Sequence, residues 1–445
     1  MKRFTILFIL INLFFASFYL DSWHNANTTS RVLPVLNYVE KHTIQIDDYA
    51  DKTMDKSFVN GHYYSDKAPL PSFVIIPFYW ALRVTGLATY NSNFDIYSRP
   101  VFLLGSFICG SLPFVLICFI FFKYAYKYAN MKHAALLSMV FLYTSFVFIF
   151  SGTFFTHVFS AALLLLSYIC IKEKRYFYSG LFLGFAFLSD YTVLFIVPIW
   201  AIQILISEGN LKKVIGFAVG LLPLALLFLL YNKITTGSAF DLLYNHSTFG
   251  DAAAPAANLG FSHPSLKALY GLTINPYRGI LIYCPLLIFA LAYYLKDKGW
   301  STFQWKKNYL INITIGYFLL ISSHLVWWGG WSYGPRQLMP VAVLLLFEAV
   351  LFVAKKDINK VWFWAISIVA LLFTLMVKGT VVYSVPTEMT SPFRDYFFQN
   401  ARYGLTNPNN ILTMYMPVSP TMAGILWLLL FGSILFWLNK KLKRI

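Results

Sequence analysis

The sequence predicts an all-α polytopic membrane protein with about 12 transmembrane helices and interfacial helices in its first outer loop. Three observations predict it. Hydrophobic residues make up 58% of 445 positions and charged ones only 12%, more apolar surface than one soluble core can hide. The apolar stretches recur along the whole length, each long enough to cross a hydrocarbon core of about 30 Å as a helix. Basic residues cluster in the short connections between those stretches, as they do on the cytoplasmic side of membrane proteins.

The spans follow in order. Met1-Lys2-Arg3 precedes an apolar run from Phe4 to Leu20 with no small-x-small cleavage site after it, so it reads as an uncleaved first span. Further spans are expected near 99–122, 133–151, 156–171, 176–189, 191–207, 212–231, 279–295, 308–327, 336–354, 361–377 and 421–438; the pair on either side of Ser189-Asp190 also reads as one broken hairpin. Lys123, Lys127, Lys132, Lys172, Lys174, Arg175, Lys212, Lys213, Lys296, Lys298, Lys306, Lys307, Lys355, Lys356, Lys360 and the C-terminal Lys440, Lys441, Lys443 and Arg444 then lie on the cytoplasmic side with both termini. For this pattern to hold, Pro69 to Gly86 must not cross; it is expected to lie along the outer interface. One membrane domain, 1–445, results, with long outer segments at 21–98, 232–278 and 378–420.

A formal net charge of +17 does not indicate nucleic acid, because the Lys and Arg are dispersed between spans instead of gathered on one soluble face. The four cysteines all fall in apolar segments, where a thiol acts as a small hydrophobe, and they have no zinc spacing. The spans carry few charges besides Glu348 and the turn residue Asp190, which weighs against an ion-coupled transporter.

The polar chemistry concentrates in the outer segments. Asp21, Glu40, Asp47, Asp48, Asp51, Asp55, Asp66 and Asp95 all lie in the first of them. There, Asn60-Gly61-His62-Tyr63-Tyr64-Ser65-Asp66-Lys67-Ala68-Pro69 joins a turn signal, an imidazole, aromatic rings, a carboxylate and a cation. A second motif, Trp327-Trp328-Gly329-Gly330-Trp331-Ser332-Tyr333-Gly334-Pro335-Arg336, puts Arg336 at the start of a helix, where unpaired N–H groups favour an anion such as phosphate. A third, Asn275-Pro276-Tyr277-Arg278-Gly279, adds Arg278. Three cations beside acidic groups suit an anionic lipid head group and a general base. An exposed Asp-Lys pair and arginines snorkelling to the interface are the plainer readings of the same residues.

At these residues the sequence resembles the GT-C superfamily of membrane glycosyltransferases, which includes the protein O-mannosyltransferases and the bacterial lipid A aminoarabinose transferases. The topology matches over most of the chain, and Tyr64-Ser65-Asp66-Lys67-Ala68-Pro69 looks like the Tyr-x-(Glu/Asp)-Lys-x-Pro segment of that superfamily's first outer loop. The resemblance implies an inverting glycosyltransferase that takes a sugar from a polyprenyl-phosphate donor on the outer face and moves it to an acceptor hydroxyl of a lipid, glycan or protein. It gives Lys67 the donor phosphate and supports Arg278 and Arg336 as phosphate or substrate ligands; His62, Tyr64 and His157 are further candidates for the substrate site. The catalytic base is left between Asp47 and Asp66, with Asp21 third, because the stretches where relatives place an acid here read Asn27-Thr28-Thr29-Ser30-Arg31 and Gly152-Thr153-Phe154-Phe155-Thr156-His157. No nucleotide cofactor is expected, and a divalent metal shared by His62 and Asp66 stays open. The rival functions are a flippase or exporter of lipid-linked sugars and a surface-glycan polymerase or ligase.

Overall fold

The computed structural model describes residues 2–22, 24–248, 260–293, 308–356, 358–380 and 383–440. The basic residues Lys296, Lys298, Lys306, Lys307, Lys441, Lys443 and Arg444 and the end of the 279–295 stretch lie outside the described residues.

The chain is an all-α membrane protein, with one small β-hairpin among the described residues. Among the described residues, six helices are long and apolar enough to cross a membrane: Phe94–Ala125, Tyr191–Glu208, Leu211–Thr236, Arg336–Lys355, Lys360–Thr380 and Pro420–Asn439. Met131–Tyr143, His157–Lys172, Tyr176–Phe187 and Tyr309–Ser322 are apolar but shorter. Helix α1, Lys2–Ser17, falls on the first apolar run.

Two expected spans are broken, for local reasons. The 133–151 run divides into Met131–Tyr143 and Phe146–Phe150. At the break Thr144 Oγ1 donates to Val140 O and Ser145 Oγ to Leu142 O, both at 2.7 Å, so hydroxyls compete for carbonyls that a continuing helix would use. The 279–295 run divides at Pro285, which has no N–H to continue the ladder, into Ile280–Tyr283, Pro285–Leu287 and Ile288–Tyr293. The 176–207 region forms two helices separated at Asp190, which caps the second by accepting from Thr192 N.

Lipid-facing and packed surfaces are distinct. Ile215, Val219, Leu222, Leu226 and Leu230 run down an exposed face of Leu211–Thr236 at helical spacing, a surface that suits hydrocarbon and not water. The opposite face packs on Tyr176–Phe187 with almost no space between backbones. A methyl group on Gly180 would strike the Phe217 carbonyl oxygen, and one on Gly220 would strike that of Phe177, the close approach that small residues permit in membrane helix pairs.

The two ends of the bundle differ. One end gathers basic residues: Lys172 reaches Glu348 at 2.5 Å, Lys174 and Lys213 both reach Glu208, and Lys132 and Lys355 lie over the rings of Trp437 and Tyr128. At the other end the long segments 21–98, 232–278 and 378–420 meet. Thr248 N donates to Lys56 O, Tyr277 Oη to Thr387 O, and Ser22 Oγ to Asn409 Oδ1.

Within the first long segment, α2 (Ala26–Lys41) and α3 (Leu70–Val84) pack against one another. Arg83 holds Glu40 through two hydrogen bonds of 2.6 and 3.1 Å. At about 1.5 Å per residue α3 is too short to span a hydrocarbon core of about 30 Å. It buries Ile75 and Tyr79 and leaves Phe78 and Trp80 exposed.

Candidate functional site

The site is assembled by a hairpin. Strands β1 (Lys56–Val59) and β2 (His62–Ser65) are joined by Asn60-Gly61, both at positive φ (52° and 85°). This is the two-residue turn that Asn-Gly favours, because its twist matches that of the strands. The register pairs Val59 with His62 and Lys56 with Ser65, so the next positions outward, Asp55 and Asp66, face each other across the open end. Lys67 follows immediately and is clamped between them. Its Nζ lies 2.8 Å from Asp55 Oδ2 and donates to Asp66 Oδ2 at 3.2 Å, with Asp66 Oδ1 3.0 Å away but outside hydrogen-bonding geometry.

The pKa values of the two carboxyls are pushed in opposite directions. Burial raises the pKa of both; at Asp55 the Lys67 ammonium and its hydrogen bond outweigh burial, helped by Arg336 and Arg31, and hold it below its ordinary value. At Asp66 burial prevails over Lys67, the charge of Asp55 pushes the same way, and the net shift is upward. Burial disfavours the Lys67 ammonium as well, yet the two carboxylates overcome it and keep the lysine charged. A pair whose environments drive the two pKa values apart supplies one permanent charge and one proton acceptor.

Three further elements close around the hairpin. Helix α2 contributes Arg31, buried, whose Nη1 donates to Asn27 O at 2.8 Å and whose Nη2 donates to Thr156 Oγ1 at 3.3 Å, while Nε has no partner among the described residues. Ser30 and Ser65 join α2 to β2 through their hydroxyls at 2.7 Å. The turn after Phe146–Phe150 contributes Phe155, Thr156 and His157; His157 Nδ1 is 2.9 Å from Asp190 Oδ2. From 232–278, the turn Leu243–His246 docks on β1, where Ser57 Oγ donates to Leu243 O at 2.5 Å.

The Trp-Gly-Gly corner supplies Arg336. Gly329 and Gly330 both adopt positive φ (75° and 69°), a conformation that glycine takes without strain, and they let the guanidinium lie against the loop backbone. The guanidinium sits 4.9 Å from the Phe155 ring centroid. Its Nε is buried and, among the described residues, has no hydrogen-bond partner.

The structure therefore brings together Asp66, Lys67, Arg336 and His157 of the residues expected from the sequence, and adds Asp55, Arg31 and Asp190. The others stand apart. Asp47 and His62 are at the turn end of the hairpin, where Asp47 accepts from Tyr63 N at 2.6 Å and His62 Nδ1 lies 2.8 Å from Asp47 Oδ2. That position corrects the idea of a metal shared by His62 and Asp66. The two lie at opposite ends of β2, about 13 Å apart at the usual rise of a strand, and among the described residues no group of three or more metal-ligating side chains occurs. Tyr64 is buried in a cluster with Val59 and Leu243, its hydroxyl accepting from Gln45 Nε2 at 3.4 Å.

Arg278 is fully buried and donates to three main-chain carbonyls: Trp328 O from Nε at 2.9 Å, Tyr277 O from Nη1 at 2.9 Å and Gly330 O from Nη2 at 3.1 Å. It thereby fixes the loop that presents Arg336. Asp55 had a readable signal, since an Asn-Gly turn at 60–61 puts positions 55 and 66 opposite each other. Arg31 had none, because its place depends on how α2 docks.

Fold and site together define a class: a helical membrane protein with a buried cluster of cations and carboxyls where its long loops meet. In comparison with known proteins, no family model, no curated protein and no solved structure matches this chain.

Proposed function

We propose that this protein is an inverting glycosyltransferase that moves a sugar from a polyprenyl-phosphate donor to an acceptor hydroxyl on the extracytoplasmic side of the membrane. The observation that carries the reading is Arg336: a half-buried guanidinium near Arg31 whose Nε is buried and which, among the described residues, forms no ion pair with a carboxylate supports an anionic ligand, because like charges held out of water are costly until an anion joins them. The sidedness rests on the basic end of the bundle facing the cytoplasm.

In this reading the donor phosphate sits among Arg336, Lys67 and Arg31. Asp66, with its raised pKa, takes the proton from the acceptor hydroxyl as that oxygen attacks the anomeric carbon. The bond from that carbon to the phosphate oxygen breaks, and its electron pair leaves with the polyprenyl phosphate, whose added negative charge the three cations stabilise. Asp55 keeps Lys67 charged and in place, and Asp190 orients His157 at the edge of the site.

The test is transfer of label from radiolabelled polyprenyl-phosphate sugars by purified protein in liposomes. The wild type should release labelled product, and Lys67→Ala and Arg336→Ala should not. Movement of intact labelled lipid across the bilayer without sugar release would support a flippase in place of a transferase, and extension of a lipid-linked glycan would support the polymerase.

A further inference from the structure

One buried charge takes no part in the site just described. Lys378, near the end of Lys360–Thr380, is 1% exposed, and its ammonium donates to Phe148 O at 3.1 Å, to Ile149 O at 2.9 Å and to Ser151 O. These are carbonyls at and just past the C-terminal end of Phe146–Phe150, where a cation is favoured; Phe148 O also accepts from Ser151 N and Ser151 Oγ. The lysine is itself held, its carbonyl accepting from Asn407 Nδ2 at 2.8 Å. One turn earlier Thr374 Oγ1 donates to Tyr143 O at 2.9 Å, so the helix is tied to both sides of the break at 144–145.

The turn that Lys378 holds is the one that builds the anion site. Within six residues after Ser151 it presents Phe155 under Arg336, Thr156 to Arg31 and His157 to Asp190. Its other flank is fixed as tightly: Asp21 N donates to Gly152 O at 2.8 Å, and a methyl group on Gly152 would strike the Tyr19 carbonyl oxygen. Phe155 packs edge-on against Tyr383 at 4.7 Å, and the Tyr383 hydroxyl donates to Asp21 at 2.6 Å.

We infer that Lys378 is a positioning residue that sets the affinity of the Arg336–Arg31 site for a phosphate by holding the 151–157 turn. The inference rests on the proposed anion site but is separable from it. A cap that served stability alone would be felt throughout the bundle, whereas a positioning role is felt at this turn and in ligand affinity.

The experiment uses full-length protein in dodecyl maltoside and dodecyl phosphate as the ligand, with affinity and amide hydrogen exchange measured side by side. Lys378→Met should weaken binding at least tenfold and speed exchange at 152–157, with little change in melting temperature. Lys378→Gln, which keeps two N–H donors, should fall between. Lys172→Met, at the opposite end of the bundle, should leave binding and the turn unchanged. Unchanged turn exchange in Lys378→Met would overturn the inference even if the wild type binds no phosphate, a result that would count against the anion site alone. Should neither variant fold, the wild type still decides: dodecyl phosphate must slow exchange at 152–157, and an indifferent turn would overturn the inference.

Discussion

Lys67 Nζ lies 2.8 Å from Asp55 Oδ2, twelve residues away in sequence and adjacent only because the Asn60-Gly61 turn zips β1 onto β2. The pair is mostly buried, with side chains 17% and 15% exposed. Removing one partner of such a pair strands the other charge, which costs about 3 kcal/mol or more. Asp55→Asn should therefore lower the thermal midpoint in detergent, and Lys67→Met should lower it too, because it leaves two carboxyls facing each other. The double variant should recover part of the loss. Additive losses in this cycle would show that the two do not interact.

Arg336 is expected to act through its planar fork. Replacing it with lysine keeps the charge but loses bidentate geometry. A charge-assisted hydrogen bond contributes about 1.5–3 kcal/mol, so Arg336→Lys should raise the KM for a polyprenyl-phosphate donor by about tenfold or more, and Arg336→Ala further. Donor titration under initial-rate conditions measures both.

The pH dependence follows from the direction of the Asp66 shift. A base must be ionised to accept a proton, so kcat/KM should fall as pH drops through a pKa above the ~3.9 of a free aspartic acid. The charge of Asp55 is one cause of that elevation. Asp55→Asn removes it and frees Lys67 to favour the Asp66 carboxylate, and the acidic limb should move to lower pH. A pH–rate profile of the two proteins, with the limb unmoved or moved upward, would contradict the assignment.

Gly180 and Gly220 give a prediction about the fold alone. Overpacking a close contact costs about 1–3 kcal/mol, and here each added methyl meets backbone, which cannot rotate away. Gly180→Val and Gly220→Val should each lower the melting temperature, while Gly216→Ala, with open space around it, should not. Differential scanning fluorimetry in detergent distinguishes them.

How much was legible in the sequence depended on whether a residue's environment is local. The apolar runs announced their helices because lipid exposure is written in composition, and the 69–86 stretch holds a helix, Leu70–Val84. The two broken spans carried their reasons in Thr144-Ser145 and Pro285, but hydropathy alone averages over such residues. At the site, Asp66, Lys67 and Arg336 stood out because turn, glycine and proline chemistry surrounds them. Arg278 looked alike for the same reason, yet its guanidinium is consumed by three carbonyls, a fact of tertiary packing. Arg31 and Lys378 were silent, since nothing near them in sequence reports on Thr156 or Ser151.

The most direct measurement is phosphorus-31 NMR of a polyprenyl-phosphate sugar incubated with the purified protein and a mixture of acceptors. The account predicts that the diester signal converts to the monoester of free polyprenyl phosphate with wild-type protein, and that Asp66→Asn leaves the diester intact while still broadening its signal by binding. Conversion at the wild-type rate by Asp66→Asn would contradict the assigned base, and a diester that neither broadens nor converts with folded wild-type protein would contradict the donor site itself.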